Sequence, residues 1–430
     1  MARGEAEAER FEEYLARLYE AVGHADRREP LKAYLSGLLL PGERKSVEPM
    51  AAKIDPGRVG ARHQSMHHFV AKAGWEAAAV LRVARDYALV HLERHAPVGA
   101  WVIDDTGIPK KGRQSVGVAR QYCGQLGKQE NCQVVVTISL ANAVMSVPAA
   151  YRLYLPEQWA KDRRRCRAAQ VPTEVKFQKK WEIALAEIDE ILADELPRAP
   201  VVADAGYGVA TELREALRAR GLSYALGISS EVSVWPPGQQ PLPAPKWSGR
   251  GRPPKLLRRE KAHHPVSVLE LAKLQPEKAW QVVRWREGTK GTMSSRFALL
   301  RVRAAHRDYW RAAPRAPEWL LVEWPSGERE PTKFWLSNVP ENVAMEDLVR
   351  LVKIRWRIER DYQELKDELG LDHYEGRGWE GFHHHGVLCI AAYAFLAAER
   401  ARLSPPAPLA FLHPARLPKG FRPRGAARAS

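Results

Sequence analysis

Acids stand at three places where the chain could build a reactive site. Asp104 and Asp105 close a short apolar run at residues 100–103, within Gly-Ala-Trp-Val-Ile-Asp-Asp-Thr-Gly-Ile. That run has the pattern of a strand buried on both faces. The two carboxylates would emerge at the rim of a sheet, where the backbone is rigid. Adjacent strand residues point to opposite faces, so alternation alone does not choose between them. The design repeats at residues 200–203, an apolar run that ends at Asp204 and is followed by Ala205-Gly206-Tyr207-Gly208. The third place is Glu359, in Ile354-Arg-Trp-Arg-Ile-Glu-Arg-Asp-Tyr-Gln-Glu-Leu-Lys366. Its periodicity predicts one long helix from near Asn342 to Gly370. On that helix Arg355, Glu359, Tyr362 and Lys366 share a stripe. Leu351, Ile354, Ile358, Leu365 and Leu369 form an apolar stripe beside it that can pack on a sheet.

These features resemble the DDE transposases of bacterial insertion sequences. The resemblance rests on Asp-x-Thr after the first strand, Asp-x-Gly-Tyr after a later one and Arg-x3-Glu-x6-Lys on the late helix. It continues through residues 370–379 and His383-His384-His385, and covers roughly the middle and last thirds of the chain. It implies an RNase H-like α/β catalytic domain with Asp104, Asp204 and Glu359 as catalytic, metal-holding acids. The family pattern leaves one residue before the Thr, which selects Asp104. One position departs: relatives often carry Tyr three residues before the Arg, and here it is Val352. Cleaving a phosphodiester requires activating a water or a 3′-hydroxyl and stabilising the leaving oxygen. Two divalent ions roughly 4 Å apart do both, and hard ions such as Mg²⁺ or Mn²⁺ take carboxylate oxygens.

The implied activity is a DNA transposase that cuts the ends of its own element and joins them to target DNA. Its partner would be double-stranded DNA, both terminal inverted repeats and target, bound by a dimer. Two alternatives stay open: an RNase H-like nuclease without strand transfer, and a non-catalytic DNA-binding protein derived from a transposase.

The elements that would position these acids can be taken in chain order. Residues 1–97 read as an N-terminal helical domain: Phe11, Leu15, Leu18 and Val22 recur at helical spacing, as do Leu31, Tyr34, Leu35 and Leu38; the resemblance implies that this domain binds DNA at the terminal repeats, the alternative being a purely structural helical cap. Two more helices are expected at 64–72 and 75–94. Residues 98–230 read as the first part of the catalytic domain, with strands at 134–140 and 147–155, a helix at 174–196, the Asp204 strand, a helix at 211–220 and a strand at 224–228. That order suits an RNase H-like fold. Residues 231–339 read as a β-rich insertion with strands at 282–285, 297–302, 319–323 and 333–336. Residues 340–403 complete the catalytic domain, and 404–430 read as a basic disordered tail.

Formal net charge is +16, which favours a polyanionic partner. Residues 1–97 carry 15 Lys and Arg against 14 Asp and Glu, so the excess lies in the rest of the chain. The glycine-rich stretch 109–128 bears Lys110, Lys111, Arg113 and Arg120, and reads as a clamp on DNA phosphates or a solvated hairpin loop. It is not a nucleotide P-loop, since Gln129 follows Gly127-Lys128. Gly249-Arg-Gly-Arg-Pro-Pro-Lys255 resembles the core of an AT-hook. Extended, Arg250 and Arg252 could follow a narrow minor groove; the alternative is a flexible basic linker. Arg355 and Lys366 would hold phosphates near the scissile bond. One of the insertion's tryptophans could stack on a flipped base, or all could serve packing. Adjacent histidines on a helix diverge, so His383–His385 cannot chelate one metal from there. The four cysteines show no zinc-like pairing, no signal-peptide core is visible, and the apolar stretches are short of a membrane span. A cytoplasmic, nucleoid-associated protein with reduced thiols is therefore expected.

Overall fold

A computed structural model describes residues 2–288 and 291–403. The tail expected at 404–430 lies outside the described residues. The chain forms two compact units. Of the described residues, one comprises 2–197 together with 355–403, and the other comprises Arg198–Ile354.

The first unit begins with five helices: α1 (Ala2–Val22), α2 (Arg28–Leu39), α3 (Val47–Ile54), α4 (Val59–Ala71) and α5 (Ala77–His95). Four strands come next: β1 (Ala100–Pro109), β2 (Ala119–Cys123), β3 (Lys128–Ala141) and β4 (Ser146–Leu153). Then come α6 (Glu157–Lys161), α7 (Arg163–Ala168) and α8 (Lys180–Ala193). The long strand β3 organises the sheet. Along one edge it pairs antiparallel with all of β1, from Ala100↔Ala141 to Pro109↔Cys132. Along the other it takes β2 and then β4. The strand expected to stop at Ile103 therefore runs six residues further. Its acids sit in mid-strand, because β3 offers backbone partners throughout. Asp104 faces Thr137 and Asp105 faces Val136 in the register.

The second unit contains β5 (Val201–Ala203), α9 (Ala205–Gly208), α10 (Thr211–Ala219), β6 (Tyr224–Ile228), β7 (Ser233–Trp235), β8 (Val266–Ser267), α11 (Val268–Lys273), β9 (Gln281–Gly288), β10 (Gly291–Ala304), β11 (Glu318–Trp324), β12 (Lys333–Ser337) and α12 (Met345–Lys353). β5 and β6 are parallel. β12, β11 and β10 then extend the layer antiparallel, and β10 carries β9 and β7. The insertion thus continues the sheet edge of β6 rather than forming a separate β body. Its core includes Val234, Leu271, Ala298, Leu320, Phe334 and Leu336.

The chain returns to the first unit with α13 (Trp356–Asp367) and α14 (Trp379–Leu403). The single helix expected from Asn342 to Gly370 is two, broken at Ile354–Arg355. No glycine or proline marks the break. The two halves bury residues in different units: Leu348, Val349, Leu351 and Val352 on α12, and Ile358, Asp361, Tyr362 and Leu365 on α13. α14 is apolar nearly all round and packs against α5, so the N-terminal helices share a core with the strands that follow them. Phe395 of α14 lies against Phe11 and Tyr14. The three histidines open α14 in three directions. His383 Nε2 accepts from Leu153 N, His384 lies at hydrogen-bond distance from Val70 O and Trp75 O, and His385 meets Tyr34 and Gly370 O. Burial holds His383 and His385 down to about 4. Among the described residues no helix is long and apolar enough to cross a membrane.

Candidate active site

The pleat of β1 separates its two acids. On one face the Asp104 carboxylate accepts from Arg355 Nη2 at 3.1 Å. Arg355 is the N-cap residue of α13. One helical turn on, Glu359 is exposed. On the other face Asp105 is ion-paired with Lys180, the first residue of α8. The same helix meets the sheet again through Glu187 and Glu190, both paired with Arg152 of β4. Burial pushes the Glu187 carboxyl up to about 7. The faces therefore differ in kind: ion pairs between α8 and the strands fill one, while the other carries the helix that presents Glu359.

The rest of the expected stripe lies along β1. Tyr362 is buried, and burial pushes its hydroxyl above the usual tyrosine range. Thr137, opposite Asp104, donates to the Asp104 main-chain oxygen at 3.1 Å. Lys366 is buried, and its Nζ donates to Gly107 O at 2.9 Å and to Gln125 Oε1 at 3.3 Å. Desolvation lowers its pKa. Lys366 thus ties the end of α13 to the strand backbone, where a contact with DNA was expected.

Asp204, in the second unit, follows β5 and caps α9. Its Oδ1 accepts from Gly206 N at 2.9 Å and Tyr207 N at 3.4 Å. Gly208 is required here by close approach: a Cβ would fall 1.9 Å from Gly227 O of β6.

The basic residues divide by exposure. Lys111, Arg113 and Arg120 are exposed. Lys110 is partly buried and donates to Asp372 O at 3.2 Å and Tyr374 O at 2.7 Å, and burial lowers it to about 8. In the second unit Arg250 and Arg252 are exposed. Their segment is folded back rather than extended: Trp247 Nε1 donates to Arg250 O and Gly251 O, both at 3.2 Å, and Gly249 and Gly251 have φ of +84° and +72°. The arginine run at 163–167 forms α7. Its N-cap is Asp162, and Arg165 stacks 3.8 Å over Trp159 and donates to Arg113 O. Sequence reading missed that arrangement, although Asp before a helix-forming run is a capping signal. It also missed Lys180 and Gln125, whose partners are distant in sequence.

A family model described as DDE superfamily endonuclease matches residues 17–292. The chain belongs to that family. It is also similar to a protein of Microchaete diplosiphon described as a probable transposase for insertion sequence element IS701, with 30% identity over 185 residues. The match covers 43% of this chain and 45% of that protein, so the chain spans less than half the length of the relative it matches. In this DDE endonuclease the mixed α/β fold agrees with an RNase H-like catalytic domain carrying a β-rich insertion. Asp104 and Asp204 lie inside the matched residues and Glu359 lies beyond them, so Glu359 stands on its motif and its place on α13. The three acids offer oxygen donors only, the kind hard divalent ions prefer. Asp104 already holds a cation, the Arg355 guanidinium, at its carboxylate. Among the described residues no three His, Cys, Asp or Glu side chains gather into a metal-binding group.

Proposed function

We propose that this DDE endonuclease is the transposase of an insertion sequence, cutting the ends of its element and transferring the strands to target DNA. Motif order, family membership and the similarity to a probable transposase support the reading. The observation that carries it is the Asp104–Arg355 ion pair, which distinguishes Asp104 from Asp105 and joins it to the helix bearing Glu359. Asp104, Asp204 and Glu359 would hold the divalent ions, Mg²⁺ or Mn²⁺. When bound, two such ions supply Lewis acidity and an activated water or 3′-hydroxyl.

The chain's own groups do the rest. Arg355 orients the Asp104 carboxylate and offers a fork suited to a phosphate. Lys111, Arg113, Arg120, Arg250 and Arg252 supply exposed charge for the DNA backbone, with Lys110 and Lys366 bracing the main chain beneath. The N-terminal helices recognise the terminal repeats, the protein acts as a dimer on DNA, and it works in the bacterial cytoplasm.

The test is cleavage of linear DNA carrying the element's ends, flanking sequence and a target in Mg²⁺. Cuts at the ends and joined products are expected from the parent, and neither from Glu359→Gln, which still binds. Cutting without joining points to the nuclease alternative. Parental cleavage by Glu359→Gln removes Glu359 from the triad.

A further inference from the structure

Strand pairing fixes what shares a face with Asp104. Thr137 of β3 stands opposite Asp104, and Val136 opposite Asp105. Opposed residues of an antiparallel pair point to the same side, and every second residue along a strand does so again. From Thr137 the Asp104 face therefore continues along β3 through Val135, Gln133, Asn131 and Gln129. The last two stand opposite Arg120 and Tyr122 of β2. Pairing runs one to one through both ladders. Arg120 and Tyr122 thus lie on the face of Asp104, whereas Cys123, Lys128 and Cys132 lie on the face of Asp105.

The β2–β3 hairpin is held firmly. Gln121 Nε2 donates to Cys132 O at 2.9 Å, and Cys123 is so close to β1 that a Cβ on Gly107 would fall 2.8 Å from its Sγ. Lys366, in the last turn of α13, reaches Gln125 between the two strands. Asn131 Nδ2 donates to Lys110 O and to Gly112 O, which keeps the segment bearing Lys111 and Arg113 beside Arg120. On that fixed frame Tyr122 is 61% exposed, and Arg120 is exposed with it. Residues 106–129 contain five Lys and Arg and no acid. The next acid, Glu130, lies on the other face and pairs with Lys128 at 3.5 Å. A face of one sign draws a polyanion and repels a second copy of itself.

We infer that Tyr122, together with Arg120, holds the DNA backbone away from the cut, on a track that starts at Asp104 and follows β3 to the β2–β3 hairpin. The inference rests on the reading of this chain as a DNA-cutting protein. A tyrosine hydroxyl donates to a phosphate oxygen, and arginine forks onto one. Asn131 is six residues from Thr137, and Gln129 is eight. At about 3.4 Å per residue, Arg120 and Tyr122 stand at most about 20 and 27 Å along the sheet from Asp104. Duplex DNA also advances about 3.4 Å per base pair, so the contacts fall about six and eight base pairs from the cut.

The experiment uses the full chain and the linear DNA carrying the element's ends. The variants are Tyr122→Phe, Tyr122→Ala, Arg120→Ala and, on the opposite face, Lys128→Ala. Melting midpoint, affinity across a salt series, sedimentation without DNA and phosphate-ethylation interference are measured. All four substitutions alter exposed side chains and should keep the parental midpoint. Both Tyr122 variants should bind about two- to tenfold more weakly, the worth of one hydrogen bond. Their salt slope should stay parental, because no charge is lost. Arg120→Ala should lower the slope by about one, and Lys128→Ala should leave it unchanged. Ethylating a phosphate weakens binding only while its protein contact exists. The positions that fall silent in the Arg120 and Tyr122 variants should therefore lie about six and eight nucleotides from the phosphate cut in Mg²⁺. Parental affinity in both Tyr122 variants overturns the inference, as does silencing at the cut phosphate itself. Equal losses of slope in Arg120→Ala and Lys128→Ala overturn the assignment to one face. A shift in the sedimentation of Tyr122→Ala with parental DNA binding makes the hairpin a contact between copies and overturns it too. If the parent binds DNA but never cuts it, the nuclease reading fails separately, and affinity and slope alone decide whether the track exists.

Discussion

On one face of β1 Asp104 meets Arg355, and on the other Asp105 meets Lys180. The residues are chemically identical, adjacent and similarly shielded, with side chains 19% and 24% exposed. They differ in what the partner helix carries next. Beyond Lys180, α8 brings Glu187 and Glu190 to Arg152, so its charges are used in binding the helix to the sheet. Beyond Arg355, α13 brings an exposed carboxylate. A pleat of one residue thus separates an acid paired with the packing helix α8 from an acid paired with the helix that presents Glu359.

The sharpest way to break this comparison is to neutralise each acid in turn. Asp104→Asn should lower cleavage by orders of magnitude while DNA binding persists, whereas Asp105→Asn should leave cleavage near the parental rate. Single-turnover assays at saturating protein decide it, and the reverse ranking would exchange the roles assigned to the two faces.

Next in size is the cation beside Asp104. Arg355→Ala should slow cleavage and reduce the slope of log affinity against log salt by about one, if the guanidinium also holds a phosphate. Arg355→Lys should restore the slope but only part of the rate, since an ammonium lacks the bidentate fork. An unchanged slope in the alanine variant would confine Arg355 to Asp104.

How much of this was legible depended on whether the deciding contact was local. The apolar stripe on the late helix is visible in sequence, and all five of its residues are buried. The insertion's strands at 282–285, 297–302, 319–323 and 333–336 lie within β9 to β12, because alternation and β-branched or aromatic content are local signals. The extension of β1 through Asp-Asp-Thr-Gly was hidden. Those residues favour turns, and only pairing with β3 keeps them extended. The break at Ile354–Arg355 was hidden too, since helical periodicity continues across it and the cause is burial in two separate units. Among site residues, Asp104, Asp204 and Glu359 are proposed on motif order, which is legible in the sequence. The hydrogen bonds of Lys110 and Lys366 were not legible, because burial against carbonyl oxygens distant in sequence leaves no mark on a lysine.

Lys366 gives a smaller effect that sharpens the contrast with Arg355. Lys366→Met should keep the stem's packing and lose the charged hydrogen bonds to Gly107 O and Gln125 Oε1. The expected cost is about 1.5–3 kcal/mol of stability, the range for hydrogen bonds to charged groups. It should appear as a lower urea midpoint with no change in the salt slope of DNA binding. A slope reduced by about one at unchanged stability would return Lys366 to the DNA.

The smallest expected effect belongs to the Asp105–Lys180 pair. Both side chains are partly exposed, at 24% and 34%, so water and salt screen the attraction, and Lys180 loses rotamer freedom in making it. Lys180 also lies 5.8 Å from the Tyr154 ring centroid, a contact that removing Asp105 leaves in place. A double-mutant cycle with Asp105→Asn and Lys180→Met separates the ion pair from that packing. Its coupling should be about 0.2–1 kcal/mol, as for other solvent-accessible pairs, and should shrink as salt rises. Cleavage by the double variant should match that of Asp105→Asn alone, because neither residue lies on the face that carries Glu359. A coupling well above this range, or a loss of cleavage seen only when Lys180 is removed, would mean that α8 helps to hold β1 in register. The two faces of the strand would then be joined through its backbone rather than independent.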